Sequence, residues 1–218
     1  MIRSAISTDL PALQQIEIAA GEPFRDIGMG AIADDPPPTL DELNDFLAAE
    51  HIWVQTDAND VPVAYALVEI VDGGAHIEQV SVHPDHARQG LGAQLIDAVT
   101  EWAADHHHDL VTLTTFVDVP WNAPYYERLG FVRLAENRLS PGLIRIRMVE
   151  QSSGLDAWPR VTMSRPARGH VSATGHVSAA QKYSVQGLAV HTPERTNSSS
   201  TAVGPSRSTP SDVTHSSL

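Results

Sequence analysis

The chain has 218 residues, 42% hydrophobic and 19% charged, a balance that fits one globular domain with some extra length. Fourteen Lys and Arg against 27 Asp and Glu give a net charge of −13, which speaks against nucleic acid or an anionic membrane as the main partner. Cysteine is absent, excluding a disulfide scaffold, a thiolate zinc site and a cysteine nucleophile. No apolar run approaches the roughly 18 residues of a membrane-spanning helix, and none follows Met1-Ile2-Arg3-Ser4, so a cytoplasmic protein is expected.

Taken in order, Ile2 to Ala5 reads as a short strand. Thr8 is placed to cap a helix that tolerates Pro11 in its first turn and carries Leu10, Leu13 and Ile16 on one side. After the Pro-rich loop from Asp34 to Pro38, the capping box Thr39-Leu40-Asp41-Glu42 opens a helix expected to turn Leu40, Leu43, Phe46 and Leu47 inward. Ile52 to Thr56 and Val63 to Val71 read as strands joined through Asp57 to Asp60, and Asp72-Gly73-Gly74 turns into a third strand, His76 to Val82. A glycine-bearing loop then leads to a helix from Ala93 to Ala104. A strand at Leu110 to Phe116, a short helix at Asn122 to Leu129 and a strand at Phe131 to Leu134 follow. A helix from about Leu143 and a strand near Val161 end the pattern.

Composition changes near Arg168. Of the last 51 residues 17 are Ser or Thr, and Gly169 to Thr174 is nearly repeated by Gly175 to Ala180. Such a segment buries too little apolar surface to offset its ordering entropy, so residues 168–218 are expected to be a disordered tail. It holds four basic and two acidic residues, leaving 10 against 25, or −15, on residues 1–167. The domain is therefore acidic. Hairpin-linked strands followed by strand, helix and strand imply an α/β (α+β) fold with a mixed central sheet flanked by helices.

The segment from Ile77 to Ala93 is the most informative. A strand ends at Val82, Pro84 prevents its continuation, and Gly90 and Gly92 stand just before an amphipathic helix with Leu91, Leu95, Ile96 and Val99. The first N–H groups of a helix have no internal partner and suit an anion such as phosphate, while glycines admit a close approach. No Gly-Lys-Ser/Thr follows, and Leu95 stands where a dinucleotide fingerprint needs its third glycine. Further on lies Asp118-Val119-Pro120-Trp121-Asn122-Ala123-Pro124-Tyr125-Tyr126-Glu127-Arg128-Leu129-Gly130-Phe131.

The two segments together resemble the GNAT superfamily of acyl-CoA-dependent N-acetyltransferases, through motifs and element order over residues 1–167. In that family a Gln/Arg-x-x-Gly-x-Gly/Ala loop holds the coenzyme A pyrophosphate, and a helix ending Tyr-x-x-x-Gly-Phe brings a tyrosine near the thioester sulfur. The resemblance implies acetyl-CoA as co-substrate and a cofactor set of Val80, Val82, Arg88, Gln89, Gly90, Leu91, Gly92, Ala93 and Asn122. The first loop position, Gln or Arg in the family, is Ala87 here, with Arg88 and Gln89 after it; backbone donors are unaffected. Arg88 would supply positive charge to an anionic cofactor, or be a solvated loop residue.

Acyl transfer to an amine needs a base for the ammonium and a proton for the departing thiolate. Without cysteine, direct transfer in a ternary complex is the simpler route. Tyr126, whose phenol has an ordinary pKa of ~10, is the acid candidate, with packing as its alternative; Tyr125 reads more strongly as packing. Glu78, a carboxylate near the end of an apolar strand, is the base candidate, or else a structural group bonded to an Arg or Tyr. Asn122 is placed to cap the helix of the two tyrosines. His106-His107-His108 point in different directions on a helix and fit its C-terminus better than a metal, so no metal is assigned. The expected acceptor is a small-molecule or peptide amine, with no nucleic acid or membrane partner and a homodimer left open. The rival reading is a non-catalytic acyl-CoA-binding sensor or interaction module.

Overall fold

The computed structural model describes residues 1–167; the expectation of a disordered tail concerns residues outside these. The elements are β1 (Ile2–Ser4), α1 (Leu10–Gly21), α2 (Gly30–Ala33), α3 (Leu40–Ala48), β2 (Ile52–Thr56), β3 (Pro62–Val71), β4 (Gly74–Val82), α4 (Leu91–Asp105), β5 (Leu110–Phe116), α5 (Ala123–Arg128), β6 (Val132–Arg133), α6 (Pro141–Ser152) and β7 (Arg160–Pro166). The seven strands form one sheet in the order β1-β2-β3-β4-β5-β7-β6. Neighbours are antiparallel except β4 and β5, which run parallel because α4 carries the chain back across the sheet. The mixed α/β architecture is as the sequence predicts.

Each face of the sheet is covered by helices whose apolar spacing is legible in the sequence. α4 buries Leu95, Ile96, Val99 and Ala103 completely against Ala64, Ala66, Val68, Ile77 and Leu113, with Phe131 and Met163 in the same cluster. Each such Leu, Ile or Val contributes about 1.5–3 kcal/mol. On the opposite face, Leu10, Leu13 and Ile16 of α1 and Leu43 of α3 pack on Ile52, Val54, Tyr65 and Leu67. The capping box at Thr39 forms: the Glu42 N–H donates to the Thr39 hydroxyl, and Glu42 accepts from the Thr39 N–H at 2.8 Å.

Several local expectations need correction. Thr8 does not cap α1: it lies inside a 3₁₀ turn, Ser7–Asp9, and Asp9 at the N-cap makes no side-chain cap, accepting instead the Ile6 N–H at 2.9 Å and pairing with Arg3 at 2.7 Å. The first helical residue, Leu40, expected inward, is 44% exposed, because it stands at the open end of α3 while Leu43, one turn on, is fully buried. α6 begins at Pro141, two residues earlier than expected, capped by Ser140. His106 to His108 do close α4, but their rings go to separate partners: His106 to the Trp102 carbonyl and His108 to the Gly73 carbonyl.

Two irregularities shape the middle of the sheet. Between Leu67 and Val68 the β3–β4 register jumps from Gln79 to Ile77, so Glu78 is an extra, unpaired residue in β4. The β4–β5 ladder pairs only Ala75 to Ile77 with Val111 to Leu113. Beyond that point the two strands part.

Candidate active site

Where β4 and β5 separate, a cleft of about 1860 Å³ runs through the sheet. On the α4 side it is lined by Val80, Val82, Leu91 and Gly92, by Asn122, Tyr125 and Tyr126, and by Arg88 and Arg128 at its edge. On the α1 side it is lined by Glu17, Gln79, Ser81, Glu69, Glu78 and Glu150, with Phe24, Phe116 and Trp121 as an aromatic corner. The cleft thus gathers both proposed catalytic residues and most of the expected cofactor residues. Gln89 lies instead in a separate depression with Met1, Gln55 and His86, and Ala93 lines neither.

The glycine loop is built from left-handed turns. Pro84 ends β4 in a short 3₁₀ turn, Ala87 is extended, Arg88 has φ 60°, and Gly90, at φ 77°, forms the N-cap of α4. The first intrahelical bond runs from Gln94 N–H to the Gly90 carbonyl. Among the described residues the N–H groups of Leu91 and Gly92 have no acceptor, so they remain open to an anion. The two glycines differ. A Cβ on Gly90 would meet nothing closer than Gln94 at 3.9 Å, whereas one on Gly92 would come within 3.2 Å of the Tyr125 hydroxyl and 3.7 Å of Val82. A side chain at Gly92 would thus crowd the Tyr125 hydroxyl by a few tenths of an ångström, a packing reason for glycine beside the ligand approach that the sequence suggests.

α5 is set by its surroundings. Arg165 donates to the Leu129 carbonyl and to Thr100 of α4, and its guanidinium lies 5.3 Å from the Phe131 ring. Asn122 stands at the N-cap, but its side chain does not cap; Nδ2 donates to the Thr115 hydroxyl of β5 at 2.7 Å. Its Oδ1 is buried without a partner. Tyr126 packs edge-on between Tyr125 and Phe131, with centroids 5.6 and 5.8 Å away. Burial raises its phenol well above the ordinary value, with Tyr125 adding to the effect, so the hydroxyl stays protonated.

Glu78 sits mid-strand, at the bulge, rather than at the strand end. No described residue donates to it, so the expected Arg or Tyr partner of a structural carboxylate is missing. Solvent reaches its side chain, yet the concave walls strip away much of the surrounding water. That desolvation, with Glu69 and Glu150 nearby and Arg160 opposing them, pushes its carboxyl up to about 7.

A second group escapes the sequence. Glu17 of α1 accepts from the Tyr65 hydroxyl at 2.6 Å, the Ser81 hydroxyl at 2.6 Å and Gln79 at 2.9 Å. All three donors are neutral and their strands hold them rigidly. The visible signal is only a lone carboxylate between Ile16 and Ile18, which helical periodicity alone does not single out.

This arrangement agrees with comparisons to known proteins. Residues 14–131 match the model of the Acetyltransferase (GNAT) family. The chain belongs to this family. Among solved structures, the GNAT chain resembles Ard1 from Thermoplasma volcanium at 20% identity and TM-score 0.54, over 76% of this chain and 96% of that one. It resembles a ribosomal-protein-alanine N-acetyltransferase from Escherichia coli at 20% and 0.53, over 81% and 99%. N-acetylglutamate synthase from Neisseria gonorrhoeae, complexed with coenzyme A and N-acetyl-glutamate, matches at 13% and 0.57, over 77% of this chain and 35% of that one. At these identities the likeness shows the fold. Among the described residues no helix is long and apolar enough to cross a membrane.

Proposed function

We propose that this GNAT chain transfers an acetyl group from acetyl-CoA to the nitrogen of a cationic primary amine, directly and within a ternary complex. The observation that carries the reading is one cleft with two unlike walls: open helix N–H groups with Arg88 and Arg128 on one, and unpaired carboxylates on the other. The first wall suits an anionic coenzyme. The second suits a positively charged acceptor, since among the described residues Glu17, Glu69 and Glu78 have no ion-pair partner and the cleft focuses their field.

In this reading the α4 N–H groups and Arg88 hold the pyrophosphate, Val80 and Val82 flank the coenzyme arm, and Asn122 offers its unpaired Oδ1 beside it. The acyl donor supplies a thioester whose carbonyl carbon forms a C–N bond with the amine as the C–S bond breaks. An amine with a pKa near ~10.4 arrives protonated. Glu78, half ionised near pH 7, takes that proton directly or through water, freeing the lone pair. The protonated Tyr126 gives its proton to the departing thiolate and is reprotonated, through water, by the second proton that the new C–N nitrogen sheds. The products are an amide, free thiol and one proton. With no cysteine in the chain, a covalent acetyl-thioenzyme has no nucleophile.

The test is release of free thiol from acetyl-CoA against a panel of alkyl monoamines, diamines and short peptides with free N-termini. Turnover that favours diamines over monoamines of equal length supports the reading. Coenzyme binding without turnover on any amine would make the chain a binding module instead.

A further inference from the structure

We propose that Tyr125 belongs to the cofactor site beside Tyr126: its hydroxyl, standing over Gly92 at the start of α4, donates its proton to the acyl-CoA chain passing the glycine turn. The proposal rests on the acetyl-CoA reading above and goes beyond it in assigning a binding role to a residue whose sequence context suggests packing alone.

Geometry brings the hydroxyl to this place. The side-chain direction of Gly92 points at the Tyr125 oxygen, 3.2 Å from where a Cβ would stand, with Val82 and Val80 just beyond. The hydroxyl therefore lies over the second glycine, on the cleft wall and next to the open Leu91 and Gly92 amides.

A phenol has one proton to donate and two lone pairs. No described residue accepts that proton. The ring is half-buried, and the Arg128 guanidinium lies 5.7 Å from its centroid. The positive end of a 15-residue helix beside this oxygen polarises the O–H and makes it a better donor. The two tyrosines divide the work: Tyr125 binds, Tyr126 protonates.

Isothermal titration of coenzyme A into the full chain, its Tyr125→Phe variant and its Tyr126→Phe variant tests this, alongside steady-state kinetics and ligand-free melting. Losing one neutral hydrogen bond should weaken coenzyme A binding by about 3- to 12-fold in Tyr125→Phe. KM for acetyl-CoA should rise alike, with kcat within about twofold. Tyr126→Phe should show the reverse split. A Gly92→Ala change should lose less affinity in the Tyr125→Phe background than alone, since the crowded oxygen is gone. Unchanged coenzyme A affinity in Tyr125→Phe, with or without a lowered melting temperature, would overturn the proposal and leave the transfer reading standing. Failure of the unaltered chain to bind coenzyme A would overturn both.

Discussion

The two walls of the cleft are made differently. The α4 wall owes its character to backbone: left-handed turns at Arg88 and Gly90, unsatisfied helix amides, and two valines whose strand has lost its neighbour. The α1 wall owes its character to side chains, with Glu17, Glu69, Glu78 and Glu150 drawn from four separate elements and Arg160 offsetting one of them. A backbone site recognises a constant chemical feature, because most side chains leave amides in place. A side-chain site changes with single substitutions, which suits the wall that would select an acceptor.

If the walls divide the labour this way, substitutions should sort by wall. The largest effect is expected at the junction: Tyr126→Phe should lower kcat by about 10²–10⁴-fold with coenzyme A affinity unchanged, read by stopped-flow thiol release. Next is Glu78→Gln. A base must be ionised, and this carboxyl titrates at about 7, so kcat/KM for the unaltered chain should climb through pH 7 while the variant's stays flat. The two should differ most near pH 8 and converge near pH 5.5.

Stability should move the other way. The folded chain binds this proton more tightly than the unfolded chain, so Glu78 weakens the fold as pH rises from about 4.5 to 7. Melting of Glu78→Gln should therefore gain on the unaltered chain at pH 8 and not at pH 4. A smaller change is expected on the acceptor wall alone: Glu17→Gln should raise the amine KM roughly tenfold and leave the acetyl-CoA KM in place. An equal rise in both would blur the distinction between walls. The smallest is Gly90→Ala, where there is space for the methyl group but φ is 77°. A left-handed alanine costs about 1 kcal/mol, so Tm should fall by about 2–4 °C.

The backbone wall was the legible one. Gly90, Gly92 and the apolar stripe of Leu95, Ile96 and Val99 announce a helix start after a strand, because turn chemistry and periodicity are local. Tyr126 is likewise marked by the Gly130-Phe131 ending. The acceptor wall is not local. Glu17 meets Tyr65 and Ser81 across 48 and 64 residues of chain, and nothing in a single strand or helix signals that meeting. Thr8 falls inside a 3₁₀ turn ahead of α1, and that turn is tied by Asp9, which accepts the Ile6 N–H and pairs with Arg3 of the strand before. Tyr125 reads as packing in the sequence because its hydroxyl reaches Gly92 of α4 only once α5 is docked.

The parting of β4 from β5 after Ile77 and Leu113 has a thermodynamic side. Two central strands there hold hydrogen-bonding edges without a neighbour, which ordinarily happens only at a sheet's margin. A ligand that lies between them acts as mortar in an open joint. It would join the two halves of the sheet, and amide hydrogen exchange at Val80 to Val82 and Thr114 to Phe116 should slow together when the cleft is filled. At a hundredfold excess over its Kd such a ligand adds about 2.7 kcal/mol to the fold. The open joint thus makes the sheet's own rigidity a variable set by the concentration of what it binds.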